Sequence, residues 1–167
     1  HKLKSLLGRV LLDEVEIIYD ALKNYKSSKV MIDVGAHFGT SLEPFAEEGW
    51  DVFGFEPDPK NREMLLNLCT KYPKVRVDIR AVSDKNQENL SFFTSEVSTG
   101  ISSLSAFHES HKESASVDTV TLEVFAGDND IQEVAFLKID TEGHDLFVLK
   151  GINWESMCPD VILCEFE

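Results

Sequence analysis

The sequence predicts an α/β protein built on a doubly wound parallel sheet, and three observations lead to this fold class. Short apolar runs alternate along the chain with segments of helical periodicity, as expected when crossover helices join buried parallel strands. The first run, Val30–Val34, breaks into the glycine turn Gly35–Gly39. The second run, Val52–Phe55, ends at the acid Glu56. Strand, glycine turn, helix, strand and acid together form the pattern of a nucleoside-binding crossover.

The chain before the first strand predicts an amphipathic helix. Apolar side chains recur at helical spacing through Leu3–Tyr25, and the polar residues 26–29 follow as a joint. We therefore divide the sequence into an N-terminal helix and joint, residues 1–28, and a cofactor-binding α/β domain, residues 29–167.

Beyond the second strand, helices and strands continue to alternate. The predicted helices of the domain are Ser41–Glu48, Lys60–Lys71 and Asp145–Lys150. The predicted strands after the first two are Val75–Val82, a hairpin strand at Leu90–Thr94, Ser116–Val124, Val134–Ile139 and Val161–Phe166. The segment Gly100–Lys112 is polar and rich in serine, which predicts a loop. Ligands of such sheets bind at the carboxyl ends of the strands.

Charge and cysteine content argue against several classes of protein. The formal net charge of −14 disfavours a nucleic-acid partner, because phosphate contacts need clustered lysines and arginines. No stretch of the sequence is long and apolar enough to predict a membrane span. The three cysteines form no C-x-x-C pair, so we expect reduced thiols and a cytoplasmic protein.

The ends of the sequence suggest a piece of a longer protein. The chain opens at His1 without a methionine and stops within the apolar run Val161–Phe166. An uncovered strand of this kind pairs readily with another chain. We therefore expect either a homo-oligomer or a further C-terminal segment that covers this edge.

Four acids crowd the strand ends: Asp33, Glu56, Asp140 and Glu142. They would repel a pyrophosphate and attract a cation. The dinucleotide fingerprint G-x-G-x-x-G is also broken, because His37 stands at its middle glycine. S-adenosylmethionine carries a ribose, an ammonium and a sulfonium, and it has no phosphate. The pattern therefore favours S-adenosylmethionine over a nicotinamide cofactor, which would instead indicate an oxidoreductase.

Four blocks of the sequence resemble one known family. They are I-D-V-G-A-H-F-G-T-S (32–41), F-E-P-D-P-K-N (55–61), A-V-S-D (81–84) and L-K-I-D-T-E-G-H-D-L-F-V-L-K-G (137–151). In order and spacing they are similar to the FkbM-type S-adenosylmethionine-dependent methyltransferases, and the match runs from Val30 to Glu167. The resemblance implies the Rossmann-like class I methyltransferase fold and methylation of hydroxyl oxygens on sugars or natural products. It also implies two further C-terminal strands, which we do not find in this sequence.

The resemblance further implies which residues hold the cofactor. The loop on its methionine side would be formed by five residues of the first block: Asp33, Gly35, Ala36, His37 and Gly39. Glu56 would hold the ribose, with Pro57 shaping the turn. Ser83 and Asp84 would lie near the adenine. No metal ligands are assigned.

The block after the last buried strand has two interpretations. By the resemblance, Asp140, Glu142 and Gly143 lie beside the sulfonium and a small or carbohydrate-like acceptor, where Asp140 and Glu142 would orient the acceptor hydroxyl or take its proton. Alternatively, Asp140 or Thr141 caps the next helix and Glu142 complements its dipole.

Two further alternatives stay open. Asp33 either caps the glycine turn by accepting backbone N–H groups or contacts the ammonium of the cofactor. A chain that had kept the pocket and lost the chemistry would be a binding or regulatory module.

Overall fold

The structure is a computed structural model that describes residues 13–24, 28–95 and 111–165. The helices in this part of the chain are α1 (Glu14–Leu22), α2 (Glu43–Glu47), α3 (Pro59–Lys71), α4 (Leu122–Asp128) and α5 (Asp145–Lys150). The strands are β1 (Val30–Val34), β2 (Asp51–Phe55), β3 (Val75–Asp78), β4 (Ala81–Val82), β5 (Gln87–Ser95), β6 (His111–Val120), β7 (Phe136–Ile139) and β8 (Val161–Cys164).

The main sheet has five parallel strands in the order β3–β2–β1–β7–β8. The chain runs outward from β1 to β3 and later returns to the other side of β1, so the strand order reverses between β1 and β7. Such a switch point leaves a crevice outside the carboxyl ends of the strands. The predicted doubly wound, Rossmann-like α/β fold is therefore confirmed.

Both faces of the main sheet are covered by helices. On one face, Ile32 and Phe53 belong to a core that α4 and α5 complete. On the other face, Met31, Val52 and Phe136 pack with side chains of α1, α2 and α3. Continuous apolar strands are expected in this setting, because alternate side chains point to two buried faces.

Helix α1 packs directly on the sheet domain. Its N-terminus is capped by Asp13, whose side chain accepts hydrogen bonds from two backbone N–H groups of the first turn. Leu22 is buried, and Tyr19 meets Phe45 of α2 edge-on at 5.4 Å between ring centroids. The predicted helix Leu3–Tyr25 is thus confirmed over Glu14–Leu22, and its residues 3–12 and 25 lie outside the described part of the chain.

The predicted strand Val75–Val82 is wrong as a single strand. Asp78 accepts a hydrogen bond from the backbone N–H of Arg80 and also pairs with its guanidinium, at 2.6 Å between Oδ2 and Nη2. This local contact turns the chain out of the main sheet after β3. The next two residues form β4 in a second sheet.

The second sheet has the order β4–β6–β5, with β5 antiparallel and β4 parallel to β6. The predicted hairpin strand Leu90–Thr94 is confirmed as part of the longer β5. Residues 100–110 of the predicted loop lie outside the described residues, and the prediction is wrong for His111 and Lys112, which belong to β6.

The predicted strand Ser116–Val124 extends too far. The side chain of Thr121 accepts a hydrogen bond from the N–H of Val124, which caps α4 and ends the strand at Val120. Helix α4 was not predicted. The predicted helix Ser41–Glu48 is shortened to α2. The last predicted strand is confirmed as β8, with Phe166 outside the described residues.

Two further features of the structure concern helix length and the cysteines. In the described ranges, no helix has both the length and the apolar composition needed to cross a bilayer. The three cysteines, Cys69, Cys158 and Cys164, are free thiols.

Candidate active site

A cavity of about 620 Å³ opens at the carboxyl ends of β1, β2 and β7. Its lining comes from the turn after β1, from the residues that follow β2 and β7, and from α1. The second sheet contributes an apolar part made by Ala81, Val82 and Phe92. Small-molecule sites span about 300–1,000 Å³, so the volume suits a nucleoside-sized ligand with an acceptor.

The glycine turn brings backbone against the end of β7 and against α3. Gly35 (φ +87°) and Gly39 (φ +81°) both have left-handed backbone that favours glycine. A Cβ on Gly39 would lie 2.4 Å from a methyl group of Leu68 in α3. The N–H groups of Gly35 and Ala36 both donate to the carbonyl of Phe55, which fixes the turn to the end of β2.

Glu56 is the acid at the end of β2, and it is almost fully buried beside this turn. Its Oε2 accepts the N–H of His37 at 2.8 Å, and its Oε1 accepts the N–H of Asp58 at 2.8 Å. Burial raises the pKa of Glu56 to about 7, although both backbone donors oppose that shift. A carboxylate has about four acceptor positions, and besides the two backbone N–H groups the side chain of Asn61 donates to Glu56, so a hydroxyl donor of a ligand can still be accommodated.

A buried ion-pair network lies under the cavity floor. Asp33 is fully buried and accepts a hydrogen bond from the hydroxyl of Ser41. Its other oxygen lies 3.4 Å from the ammonium of Lys138, and the same ammonium lies 2.9 Å from Asp140 Oδ2. Burial lowers the pKa of Lys138, but the charges of Asp33 and Asp140 outweigh burial and raise it, so Lys138 is an ammonium.

The turn between β7 and α5 contains Glu142, and the carboxylate of Asp145, the first residue of α5, holds this turn through hydrogen bonds. Asp145 Oδ1 accepts hydrogen bonds from both the N–H and the hydroxyl of Thr141, each at 3.0 Å. Helix α5 starts after His144, which makes no side-chain cap. The capping interpretation of Asp140 and Thr141 is therefore wrong. Glu142 has a positive φ of 52°, an uncommon conformation for a residue with a side chain, and it lines the cavity.

His144 closes the cavity next to the second sheet. It is 9% exposed, stacks on Phe147 at 4.7 Å between ring centroids, and lies 3.0 Å from Ser83 Oγ through Nε2. Burial lowers the pKa of His144 despite the nearby carboxylates of Asp84 and Asp145. Within the described residues its Nδ1 has no hydrogen-bond partner.

Comparison with known proteins shows the family of the chain. The methyltransferase FkbM domain matches residues 33–167, which is most of the chain. The chain belongs to the FkbM methyltransferase family. Members of this family use S-adenosylmethionine, so the predicted cofactor is confirmed.

One curated relative is the hexuronic acid methyltransferase AglP of Haloferax volcanii. It is 27% identical over 162 residues, which cover 94% of this chain and 64% of the relative. The chain thus spans less than two thirds of the length of that protein. Among solved structures, the SAM-dependent methyltransferase from Agrobacterium tumefaciens matches with a TM-score of 0.36 and 11% identity, over 41% of this chain and 23% of that chain.

Most residues that the FkbM resemblance assigned come together at the cavity. Those that line it are Gly35, Ala36, His37, Glu56, Pro57, Asp140 and Glu142. Those that do not are Asp33, Gly39, Ser83, Asp84 and Gly143. Asp33 and Gly39 support the floor and the turn from below, and Ser83 contacts the cavity through His144. Asp84 lies beside Ser83, at 3.3 Å between side-chain oxygens.

Several lining residues were missed by sequence reasoning. Lys138 had a visible signal, because it interrupts an apolar strand two residues before Asp140. Phe92 and His144 had no comparable signal. Two acids at the start of α1 also line the cavity: the capping residue Asp13 and Glu16. Their position depends on how α1 packs across the sheet, and helical spacing in the sequence does not reveal that packing.

Proposed function

We propose that this protein transfers the methyl group of S-adenosylmethionine to a hydroxyl oxygen of a small, sugar-like acceptor. The observation that carries the proposal is the meeting of Asp140 and Glu142 with the glycine turn in one cavity. Neither acid caps α5, so both side chains stay at the strand end where a ligand binds.

The residues present fit the cofactor. Glu56 offers a buried carboxylate to the ribose hydroxyls, on the β2 side of the glycine turn. The backbone at Gly35 and Ala36 leaves space for the methionine part above the turn. On the β7 side, Asp140 supplies negative charge where a sulfonium would lie. The proposed positions of the ribose, the methionine part and the sulfonium thus follow the strand order β2–β1–β7. The cofactor would then lie across the switch point of the sheet.

The protein has to align the acceptor hydroxyl with the methyl group and to remove one proton from that hydroxyl. S-adenosylmethionine, when bound, supplies a methyl carbon whose bond to sulfur breaks as a bond to the acceptor oxygen forms. Glu142 holds the acceptor hydroxyl in line, takes its proton and later releases that proton to water, while Asp140 faces the sulfonium. We assign the cofactor side to Asp140 and the acceptor side to Glu142.

The charge of the cavity favours an acceptor without a carboxylate. Among the described residues that line it, the acids are Asp13, Glu16, Glu56, Asp140 and Glu142. Among the same lining residues the lysine is Lys138, and its ammonium is already paired with the carboxylates of Asp33 and Asp140. A uronic acid needs a cationic partner to offset the cost of approaching such acids. We therefore extend the proposal to neutral sugar hydroxyls, in contrast to the substrate in the name of the curated relative.

The experiment has two parts. First, S-adenosylhomocysteine should raise the melting temperature of the protein and NAD should not, since a ligand stabilises only the fold that it binds. Second, methyl transfer from labelled S-adenosylmethionine should be measured with matched glucosides and glucuronides, a phenol and an amine. The glucoside should be methylated at least about tenfold faster than the glucuronide. Transfer to the amine alone would contradict O-methylation, and faster transfer to the glucuronide would contradict the charge argument. Cofactor binding without transfer to any of the acceptors would favour a binding module.

A further inference from the structure

Lys138 is a buried lysine in the middle of the functional site that the proposed reaction does not yet use. It lies on β7 directly beside Asp33 of β1 in the strand register. Its side chain is 13% exposed, between apolar neighbours on the same strand. Burying an ammonium costs several kcal/mol unless the charge is paired and hydrogen-bonded. A lysine at this position therefore needs a reason beyond packing.

Neutralisation of Asp33 explains only one of the two contacts that the Lys138 ammonium makes. The ammonium lies 3.4 Å from Asp33 Oδ1 and 2.9 Å from Asp140 Oδ2. The shorter contact is thus with Asp140, whose side chain is 33% exposed and lines the cavity. Asp33 has a second donor, the hydroxyl of Ser41. Lys138 therefore connects the buried carboxylate of Asp33 to the partly exposed carboxylate of Asp140, which a ligand can reach.

The contact leaves Asp140 with one held oxygen and one available oxygen. Oδ2 faces the ammonium, and within the described residues no protein group donates to Oδ1. A carboxylate fixed in this way loses little further side-chain entropy when a ligand binds to its second oxygen.

We propose that Lys138 is a positioning residue that holds Asp140 toward the reacting sulfur and acceptor oxygen. The proposal rests on the function proposed above. Asp33 then has the supporting role, because it keeps the ammonium in place from the buried side, and Ser41 holds Asp33 in turn.

A charge-balanced double variant separates positioning from simple neutralisation. Burial raises the pKa of Asp33, while Lys138 and Ser41 oppose that shift. With both carboxyl groups ionised, Asp33, Lys138 and Asp140 together carry one net negative charge. The variant Asp33→Asn/Lys138→Met carries the same net charge through Asp140 alone, and it leaves no buried carboxylate without its cation. The measurements are the melting temperature, the affinities for S-adenosylmethionine and S-adenosylhomocysteine by calorimetry, and methyl transfer at saturating cofactor. Lys85→Met, on an exposed lysine, is the matched control.

The expected result is a folded double variant with a melting temperature close to that of the wild type. Its preference for S-adenosylmethionine over S-adenosylhomocysteine should fall about tenfold, because Asp140 is no longer held beside the sulfonium, while turnover at saturating cofactor should stay near that of the wild type. A wild-type preference in this variant would overturn the proposal and leave Lys138 as a partner of Asp33 alone.

Two further outcomes are decisive. If the double variant fails to fold, Lys138→Arg provides the test, since it keeps the charge and moves the donors. A reduced cofactor preference in Lys138→Arg would support positioning, and an unchanged preference would contradict it. If the wild-type protein binds both ligands but methylates no acceptor, the proposed function fails, while the cofactor preference still decides the role of Lys138.

Discussion

A Cβ atom on Gly35 would lie 1.9 Å from the carbonyl oxygen of Asp140, far inside van der Waals contact. The ends of β1 and β7 therefore touch through backbone at the switch point of the sheet. This contact explains why residues about 105 positions apart in the chain, such as Asp33 and Lys138, share one ion pair. It also places the glycine turn and the carboxylate of Asp140 in the same cavity.

Gly35→Ala should destabilise the protein strongly. The substitution places a methyl group against the Asp140 carbonyl and forces an alanine into backbone with φ +87°. Left-handed backbone and overpacking together cost at least about 2 kcal/mol of unfolding free energy. Denaturant unfolding measures this loss.

Gly127→Ala is the matched control for that experiment. Gly127 lies in α4, and a Cβ there would meet no atom within 4 Å. Alanine in a helix is favoured over glycine by about 0.5–1 kcal/mol, so this variant should be slightly more stable. Equal effects of the two substitutions would show that the close contact at Gly35 does not exist.

The main sheet and the residues at its edge could be predicted from sequence because their signals are local. An apolar run is followed directly by a glycine or by an acid at these strand ends, as in Val30–Val34 with Gly35 and Val52–Phe55 with Glu56. β1 and β2 also lie between predicted helices, which favours parallel strands.

The errors arose where short-range hydrogen bonds or distant packing decided the structure. The contact between Asp78 and Arg80 breaks the predicted strand Val75–Val82. Thr121 starts a helix inside the predicted strand Ser116–Val124. The partner of Asp140 was also missed. Lys138 stood only two residues away in the sequence, but its meaning depends on Asp33, which reaches it through the strand register.

Glu56→Gln should weaken the binding of S-adenosylhomocysteine at least about tenfold. The neutral amide has one acceptor oxygen where the carboxylate has two, and both carboxylate oxygens already accept backbone N–H groups. Hydrogen bonds to a charged group contribute about 1.5–3 kcal/mol each, and 1.4 kcal/mol corresponds to a factor of ten. Calorimetry provides the affinities. Glu63→Gln, on the exposed face of α3, is the control, and an effect as large as that of Glu56→Gln would remove Glu56 as the ribose ligand.

Affinity for S-adenosylhomocysteine should also depend on pH through Glu56. Its pKa of about 7 in the ligand-free protein means that the carboxyl group is protonated under mildly acidic conditions. Ribose hydroxyls donate to the ionised form, so binding below about pH 7 has to release a proton, and affinity should fall toward about pH 5.5. Above about pH 8 affinity should be constant. A flat profile, or the same slope in Glu56→Gln, would contradict the assignment.

The same pKa gives a stability effect of opposite sign in the ligand-free protein. The pKa of Glu56 is raised on folding from the ordinary value of 4.5 to about 7. Its contribution to stability is therefore fully present below the unfolded pKa and is lost as the pH rises through about 7. Unfolding measured with and without S-adenosylhomocysteine separates the two effects, because the ligand reverses the preference for the protonated form.

Asp140→Asn tests whether charge at the β7 end acts on binding or on rate. Asparagine keeps an oxygen for Lys138 to donate to, so the floor stays intact and only the negative charge is lost. A sulfonium is attracted to that charge before methyl transfer, and the attraction weakens as the sulfur becomes neutral. A purely electrostatic role therefore aids binding of the methyl donor more than it aids the chemical step.

We expect Asp140→Asn to bind S-adenosylmethionine about tenfold more weakly, with little change for S-adenosylhomocysteine, which has no charge on sulfur. Turnover at saturating cofactor should stay near normal. Glu142→Gln should give the reverse, with intact affinity and turnover lower by about a hundredfold, because it removes the group that orients the acceptor or takes its proton. An exchange of these two results would reverse the two roles. Normal binding and turnover in both variants would leave neither acid in the reaction.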